Sequence, residues 1–147
     1  MITLLLCRVP PRLIGLPIEH VIETMRPLPV ERVSGAPHYV IGVSVIRGAP
    51  VPVIDAGRLL GAGAVQPGRF VTVRVGNRTA ALAVAHVLGT SRIATESLHL
   101  LPPLLRSAQS GIVASMGTVD DELLLVLRTV RLAPEDVWQL SAGTAAT

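Results

Sequence analysis

The apolar residues of this chain come in short runs, each broken by glycine, proline or a charged residue. Short runs rich in branched apolar residues and bounded by turn formers are typical of β-strands. No run reaches the roughly eighteen consecutive apolar residues that a membrane-spanning helix needs. Strands do not alternate with long helical patterns. The sequence therefore predicts an all-β fold with minor helix, closed into barrels so that apolar strands have no exposed edges.

Turn signals divide most of the chain into predicted hairpins. Pro10-Pro11 and Gly76-Asn77 each separate two apolar runs, and Asp120-Asp121 separates another pair. The predicted strands cover residues 2–9, 13–18, 70–75, 79–84, 87–93, 111–116 and 122–130. Residues 19–25 are ambiguous, because apolar residues recur at helical spacing but a bent strand also fits. Residues 133–140 begin like a helix, with Pro134 in the first turn.

The central stretch, residues 39–60, contains the clearest predicted hairpin. Two β-branched runs, 39–46 and 51–54, flank a four-residue connection, Arg47-Gly48-Ala49-Pro50. A hairpin does not need Arg47 in its turn or Asp55 just past its second strand. Arg47 therefore either bridges to Asp55 or to turn carbonyls, or it contacts a partner.

Residues suited to catalysis or metal binding are sparse and scattered. The four histidines lack ligand spacing, no Cys-x-x-Cys or phosphate-binding glycine motif occurs, and residues 120–122 fit a solvated turn. Cys7 lies in an apolar run and is predicted to be a buried hydrophobic residue. Nothing in the sequence brings Cys7 close to His20 or His86, so a nucleophilic cysteine is not supported. His86 itself could be a histidine buried in the core or a residue of an interface. No enzyme activity, cofactor or metal is predicted.

Charge and composition also limit the partners. Each of the 13 basic residues is arginine, they are spread along the chain, and the net charge is only +3. Nucleic-acid binding needs clustered cations and aromatic residues for stacking, so no nucleic-acid partner is predicted. The first eleven residues lack the charged segment of a signal peptide. A cytoplasmic protein without direct membrane insertion is therefore expected.

Residues 21–55 resemble the CheW-like domain of bacterial chemotaxis coupling proteins. The family pattern is Val-x-Glu, a proline-containing loop, Gly-Val-x-Asn-Leu-Arg-Gly, and a strand ending Pro-Val-Ile-Asp. The corresponding residues, which need no gap, are Val21-Ile22-Glu23, Ala36-Pro37, Gly42-Val43-Ser44-Val45-Ile46-Arg47-Gly48 and Pro52-Val53-Ile54-Asp55. Residues 78–87 and 111–127 resemble later strands of the family, so the resemblance covers nearly the whole chain.

This resemblance implies two SH3-like five-stranded barrel lobes that share a hydrophobic core. They form one intertwined domain over residues 1–140. The small residues of 141–147 separately predict a flexible tail. The resemblance also implies a non-catalytic scaffold. Its partners are the CheA-like regulatory domain of a histidine kinase and the cytoplasmic tip of chemoreceptors.

Site residues are carried over by motif. The resemblance assigns Val21 and Glu23 to a receptor-facing groove between the lobes and Arg47 to receptor coupling. The partner-binding set implied by the motif is Val21, Glu23, Gly42, Arg47 and Gly48. Two residues, Pro52 and Asp55, are implied to be structural.

Two departures from the family pattern concern function. Ala85-His86 stands where the family has an aspartate, and Val45 replaces the motif asparagine. These changes leave the barrels intact and raise the question of a divergent chemosensory or pilus-motility system. The alternative function is a divergent CheW-like regulatory or small-molecule-binding β-barrel without kinase coupling. A closed apolar pocket between the lobes would favour that alternative.

Overall fold

Ten strands and one short α-helix are present in the computed structural model, which describes residues 1–101, 111–129, Leu132 and Trp138. The strands, in chain order, are β1 (Ile2–Val9), β2 (Arg12–Pro17), β3 (Val21–Met25), β4 (Val40–Ile46), β5 (Ala49–Asp55), β6 (Arg69–Val75), β7 (Arg78–Val84), β8 (His86–Ile93), β9 (Val113–Val119) and β10 (Glu122–Leu127). The helix α1 spans Ala56–Leu59, and single 3-10 turns span Ile18–His20 and Thr95–Ser97. The predicted all-β class with minor helix is confirmed.

The strands form two five-stranded sheets with the same pairing scheme. Lobe A has the order β8-β1-β2-β10-β9, and lobe B has the order β3-β6-β7-β5-β4. Each contains one parallel pair, β2 with β10 and β5 with β7, among antiparallel neighbours. Strand β8 therefore corresponds to β3, hairpin β1–β2 to β6–β7, and hairpin β9–β10 to β4–β5.

The two corresponding hairpins, β4–β5 and β9–β10, have the same type of two-residue turn. Arg47 and Gly48 have φ of 53° and 78°, and Asp120 and Asp121 have φ of 50° and 64°. Positive φ at both central residues gives the backbone twist that favours tight hairpins. The four-residue connection predicted between residues 46 and 51 is therefore wrong, because β5 already begins at Ala49.

One apolar cluster joins the two lobes. Fully buried side chains of lobe A, such as Leu16 and Leu127, belong to the same cluster as Val73 and Leu82 of lobe B. Burying one such side chain contributes about 1.5–3 kcal/mol, so each lobe depends on the other for a large part of its stability. The predicted shared core of valine, leucine, isoleucine and alanine is confirmed.

The structure resolves the ambiguity at residues 19–25. Only Ile18–His20 form a helical turn, and Val21–Met25 form the edge strand of lobe B. The predicted helix at 133–140, apart from Trp138, and the predicted tail at 141–147 lie outside the described residues. In the part of the chain that the structure describes, no helix is long and apolar enough to cross a membrane.

Candidate functional site

A β-bulge in β3 organises the candidate site. Val21 pairs with Val73 and Glu23 with Thr72, so Ile22 is an extra residue in β3. The buried Thr72 hydroxyl accepts a hydrogen bond from the Glu23 N–H and donates one to the Glu23 carbonyl, both at 3.2 Å. These bonds satisfy backbone groups that the bulge removes from the ladder. Thr72 therefore fixes the backbone of Glu23.

Glu23 in turn holds Arg47 at the tip of the β4–β5 hairpin. The Arg47 Nε lies 2.9 Å from Oε2 of Glu23, and its Nη2 lies 2.5 Å from Oε1. The Arg47 side chain is 78% exposed and that of Glu23 27% exposed. Hydrogen bonding to Arg47 lowers the pKa of Glu23 from its ordinary value, so the carboxylate stays ionised at neutral pH. The forked geometry orients the guanidinium, but an exposed pair adds little stability.

The predicted alternatives for Arg47 included a bridge to Asp55 or to turn carbonyls. The observed partner is instead Glu23, 24 residues earlier in the chain, so the bridge to Asp55 is wrong. Arg47 also has φ of 53°, a conformation that non-glycine residues seldom adopt. The two-residue turn between β4 and β5 requires this conformation, as the turn at Asp120-Asp121 does between β9 and β10.

A groove on lobe B, here called the central groove, lies beside this ion pair. Its volume is about 450 Å³, and its lining includes Ile22, Glu23, Arg47, Arg78 and Trp138. The Arg78 guanidinium lies 5.4 Å from the centroid of the Trp138 ring, within cation–π range. The groove is open to solvent, with apolar surface between charged groups.

A second groove, here called the edge groove, lies on the opposite face of β4. Its volume is about 500 Å³, and its lining is mostly apolar: Leu28, Pro29, Val43, Val45 and Pro50. Val45 is 71% exposed. Successive residues of a strand point to opposite faces, so Ile46 lines the central groove while Val45 lines the edge groove. The Arg47-Gly48 turn thus borders both grooves.

The structure places three of the five predicted partner-binding residues in the lining of the two grooves. Val21 packs partly buried against the shared core, and Glu23, Arg47 and Gly48 line the grooves. Gly42 is instead buried on β4, beneath Val30 and Glu31. A Cβ at this position would lie 2.0 Å from the carbonyl oxygen of Glu31. This close approach indicates a packing role for Gly42.

The two residues predicted to be structural lie on β5 away from solvent. Pro52 is buried, and Asp55 is 4% exposed at the end of the strand. The Asp55 carboxylate accepts hydrogen bonds from the N–H of Arg58 at 3.0 Å and from the N–H of Val65 at 3.1 Å. It therefore caps α1 and anchors the loop that follows.

The reactive side chains do not converge. Cys7 is completely buried and pairs with Val87 in the sheet, whereas His86, the residue before Val87, is exposed. A core imidazole at His86 is therefore wrong. His20 Nδ1 lies 3.0 Å from the Thr129 hydroxyl rather than serving a nucleophile. Among the described residues, no group of three or more histidine, cysteine or acidic side chains could hold a metal ion.

Burial of Cys7 leads to a pH prediction. Desolvation raises the pKa of its thiol from 9.0 to about 12. Between these values the unfolded chain releases the thiol proton while the folded chain retains it, so stability falls as pH rises above 9. The expected loss is about 1.4 kcal/mol per pH unit.

This loss is measured as the free energy of unfolding in urea at several pH values between 8 and 10.5. The control is Cys7→Ala, which removes this thiol but leaves Tyr39 and the other titrating groups in place. We expect the wild-type curve to fall more steeply than that of Cys7→Ala. Parallel curves for the two proteins contradict a raised thiol pKa.

Sequence reasoning missed three residues of the central groove. Ile22 is the variable position of the Val-x-Glu pattern, and its exposure depends on the bulge. Arg78 and Trp138 meet across 60 residues of sequence, a contact that no local pattern reveals. The available signal was that the chain has a single tryptophan, since large aromatic residues often form binding surfaces.

Comparisons with known proteins agree with this architecture. A family model described as the CheW-like domain matches residues 3–136. The chain is 26% identical over 125 residues to the chemotaxis protein CheW of Helicobacter pylori, an alignment that covers 83% of this chain and 75% of that protein. Its fold is similar to the crystal structure of the scaffolding protein TtCheW from Thermoanaerobacter tengcongensis, with a TM-score of 0.78 and 22% identity. That match covers 86% of this chain and 88% of TtCheW.

Proposed function

Because this chain belongs to the CheW-like domain family, we propose that it is a non-catalytic coupling scaffold in bacterial chemosensory signalling. The family consists of scaffold and adaptor proteins, and the relatives described above are a chemotaxis protein and a scaffolding protein. The observation that carries the proposal is the exposed Arg47, which Glu23 orients at the border of two grooves. Such a residue suits contact with a partner protein.

The central groove is the proposed docking site for the cytoplasmic tip of a chemoreceptor. Glu23 occupies the Nε and one terminal nitrogen of Arg47, so the second terminal nitrogen retains its donors. A pre-oriented guanidinium loses less conformational entropy when a partner binds than a freely rotating one. Arg47 and Glu23 are therefore proposed as one unit for receptor contact, and Val21, which packs against the shared core, is proposed to support it.

The edge groove is the proposed docking site for the CheA-like regulatory domain of a histidine kinase. It offers contiguous apolar surface from Val45 and Leu28, and Glu31 lies at its border. Apolar patches with polar rims are typical protein–protein interfaces. Because both grooves share the turn at Arg47-Gly48, two partners docked there lie side by side. A shift of one partner can then bias the other through direct contact.

The proposed cellular location is the cytoplasm, because both proposed partner domains are cytoplasmic in the systems that the family serves. The alternative function, a small-molecule-binding barrel, required a closed apolar pocket between the lobes. Among the described residues, side chains of both lobes pack into one shared core, and both grooves described above are open to solvent. The coupling function is therefore favoured.

Arg47→Ala is the direct test of receptor contact. We expect its affinity for the cytoplasmic fragment of a chemoreceptor from the same organism to fall at least about 10-fold, because charge-assisted hydrogen bonds of about 1.5–3 kcal/mol are lost. Kinase affinity and thermal unfolding should change little, since the Glu23–Arg47 pair is exposed. Calorimetric titration with each partner, together with a thermal melt, measures these quantities.

Two further variants complete this experiment. Arg92→Ala removes an exposed arginine from lobe A and should leave both affinities unchanged. Val45→Asp places a charge in the edge groove and should weaken kinase binding but not receptor binding. Absence of wild-type binding to either partner at high micromolar concentration refutes that half of the proposal. A large drop in the melting temperature of Arg47→Ala would instead show that Arg47 staples the fold.

A further inference from the structure

The bulge in β3 has a counterpart in lobe A. In β8, the strand that corresponds to β3, Leu88 is an extra residue in the pairing with β1. Gly89 follows this bulge and pairs with Leu6. Glu23 follows the bulge of β3 and pairs with Thr72. Leu6 and Thr72 each lie three residues before the end of their strand, so the two positions are equivalent. Lobe A is therefore an internal reference for the candidate site.

The two lobes accommodate their bulges in different ways. Gly89 has φ of 110°, a conformation that glycine adopts readily and residues with a Cβ seldom adopt. Glu23 does not have positive φ, and its N–H and carbonyl are instead bonded to the Thr72 hydroxyl. The side chain of Leu6 has no polar atom that could make such bonds. The bulge therefore forms without a hydroxyl in lobe A, and the hydroxyl is present in the lobe where glutamate replaces glycine.

Thr72 does not face a partner itself. It is 1% exposed, and its hydroxyl is bonded to the backbone of Glu23. The Glu23 carboxylate places both of its oxygens on Arg47. In the described part of the chain, both side-chain hydrogen bonds of Arg47 go to Glu23, and the side chain is 78% exposed. The orientation of the guanidinium therefore depends on where the backbone of Glu23 is held.

We infer that Thr72 is a positioning residue for receptor contact, whose hydroxyl orients the Arg47 guanidinium through Glu23. Without this hydroxyl, the N–H and carbonyl of Glu23 lose their partner, and the carboxylate is no longer held in one place. Arg47 then samples more rotamers, and a partner must order the side chain when it binds. This inference rests on the proposed function, because Arg47 is taken to contact the chemoreceptor tip.

The affinity for the receptor gives the first readout. Thr72→Val removes the hydroxyl but keeps the size and branching of the side chain. We expect it to weaken binding of the cytoplasmic fragment of a chemoreceptor from the same organism about 3- to 10-fold, because one arginine side chain must be ordered. Thr72→Ser keeps the hydroxyl and should bind within about 2-fold of the wild type. Calorimetric titration measures these affinities.

A double-mutant cycle distinguishes positioning from a general loss of structure. In an Arg47→Ala background, the hydroxyl has no guanidinium to position. Thr72→Val should then change the receptor affinity by less than about 2-fold, because residues that act through one another are not additive. The same calorimetric titration applies.

The titration of Glu23 gives a second readout that needs no receptor. Hydrogen bonding to Arg47 lowers the pKa of Glu23 from its ordinary value. We expect Thr72→Val to raise this pKa toward the ordinary value, because the carboxylate no longer stays beside the guanidinium. Thr72→Ser should keep the pKa of the wild type. Carbon-13 NMR of the side-chain carboxyl group, followed with pH in the free protein, measures it.

Ser44→Ala is the matched control. Ser44 is 1% exposed in lobe B, and its hydroxyl donates to the carbonyl of Pro29 at 2.7 Å. The substitution therefore also removes a buried hydroxyl, but one that does not contact Glu23. We expect lower stability, an unchanged pKa of Glu23 and receptor affinity within about 2-fold of the wild type. Equal changes of pKa and affinity in Ser44→Ala and Thr72→Val overturn the inference.

The outcomes separate this inference from the proposed function. An unchanged pKa of Glu23 in Thr72→Val overturns the inference alone, and so does an equal loss of affinity with and without Arg47. Absence of wild-type binding refutes the proposed receptor coupling, whereas the pKa of Glu23 still decides whether Thr72 positions the ion pair. Circular dichroism melts verify that each variant is folded. Should Thr72→Val not fold, Thr72→Ala takes its place in both measurements.

Discussion

Gly42→Ala is expected to lower the free energy of unfolding by about 3–5 kcal/mol. The added Cβ would lie 2.0 Å from the carbonyl oxygen of Glu31, which is backbone and cannot rotate away. Glu31 and Val43 exchange two backbone hydrogen bonds of 2.8 Å, and moving Glu31 breaks them. Overpacking of this kind costs about 1–3 kcal/mol, and each lost hydrogen bond adds about 0.5–1.5 kcal/mol.

Urea denaturation measures this loss, and Gly48→Ala is the matched control. Gly48 has φ of 78°, but a Cβ there has no neighbour within 4 Å. We therefore expect a loss of only about 1 kcal/mol, the cost of placing alanine in the left-handed region. If Gly42→Ala keeps wild-type stability and loses partner binding, the packing role is wrong and the motif-based assignment to partner contact is favoured.

Asp55→Ala is expected to lower the free energy of unfolding by about 3 kcal/mol. The carboxylate is 4% exposed and accepts from two backbone N–H groups, those of Arg58 and Val65. Removing it leaves both donors without this acceptor, at about 1–3 kcal/mol each, partly offset where water reaches them. The affected segment is α1 and the loop that leads into β6.

The control for this substitution is Asp55→Asn, which keeps one oxygen. Oδ1 accepts from both N–H groups, and Oδ2 accepts a second bond from the Val65 N–H at 3.2 Å. Because the single oxygen of Asn can take the place of Oδ1, a loss of about 1 kcal/mol is expected. Denaturation of the two variants side by side measures the difference. Equal losses of unfolding free energy in Asp55→Ala and Asp55→Asn indicate that the charge of Asp55, rather than its capping hydrogen bonds, stabilises the fold. Wild-type stability in both variants contradicts the structural role of Asp55.

The hairpins of this fold were predictable from the sequence because their signals are local. Gly76-Asn77 sits between two apolar runs, and both residues suit a tight turn. The β3 strand was ambiguous for a physical reason: its bulge at Ile22 breaks the two-residue period that identifies a strand. The helix α1 was missed because four residues are too few to show helical periodicity.

The candidate site was predictable only in part. The resemblance named Glu23 and Arg47, but the sequence alone suggested Asp55 as the partner of Arg47, since only near neighbours are visible in a linear chain. The pairing with Glu23 depends on bringing β3 beside the β4–β5 turn within lobe B. The stacking of Arg78 on Trp138 likewise requires the folded chain.

The order of the strands also limits how the two lobes can be exchanged between proteins. Lobe B is continuous in sequence from β3 to β7, whereas lobe A is split into β1–β2 and β8–β10. Lobe B is thus an insertion into lobe A, and no single cut of the chain separates them. A chimera that replaces lobe B needs two junctions, one near Ile18–His20 and one at Ala85. Every inward-facing residue of the transplanted lobe must also fit the recipient's half of the shared core. The two grooves of lobe B can therefore diversify by point substitution far more readily than by recombination.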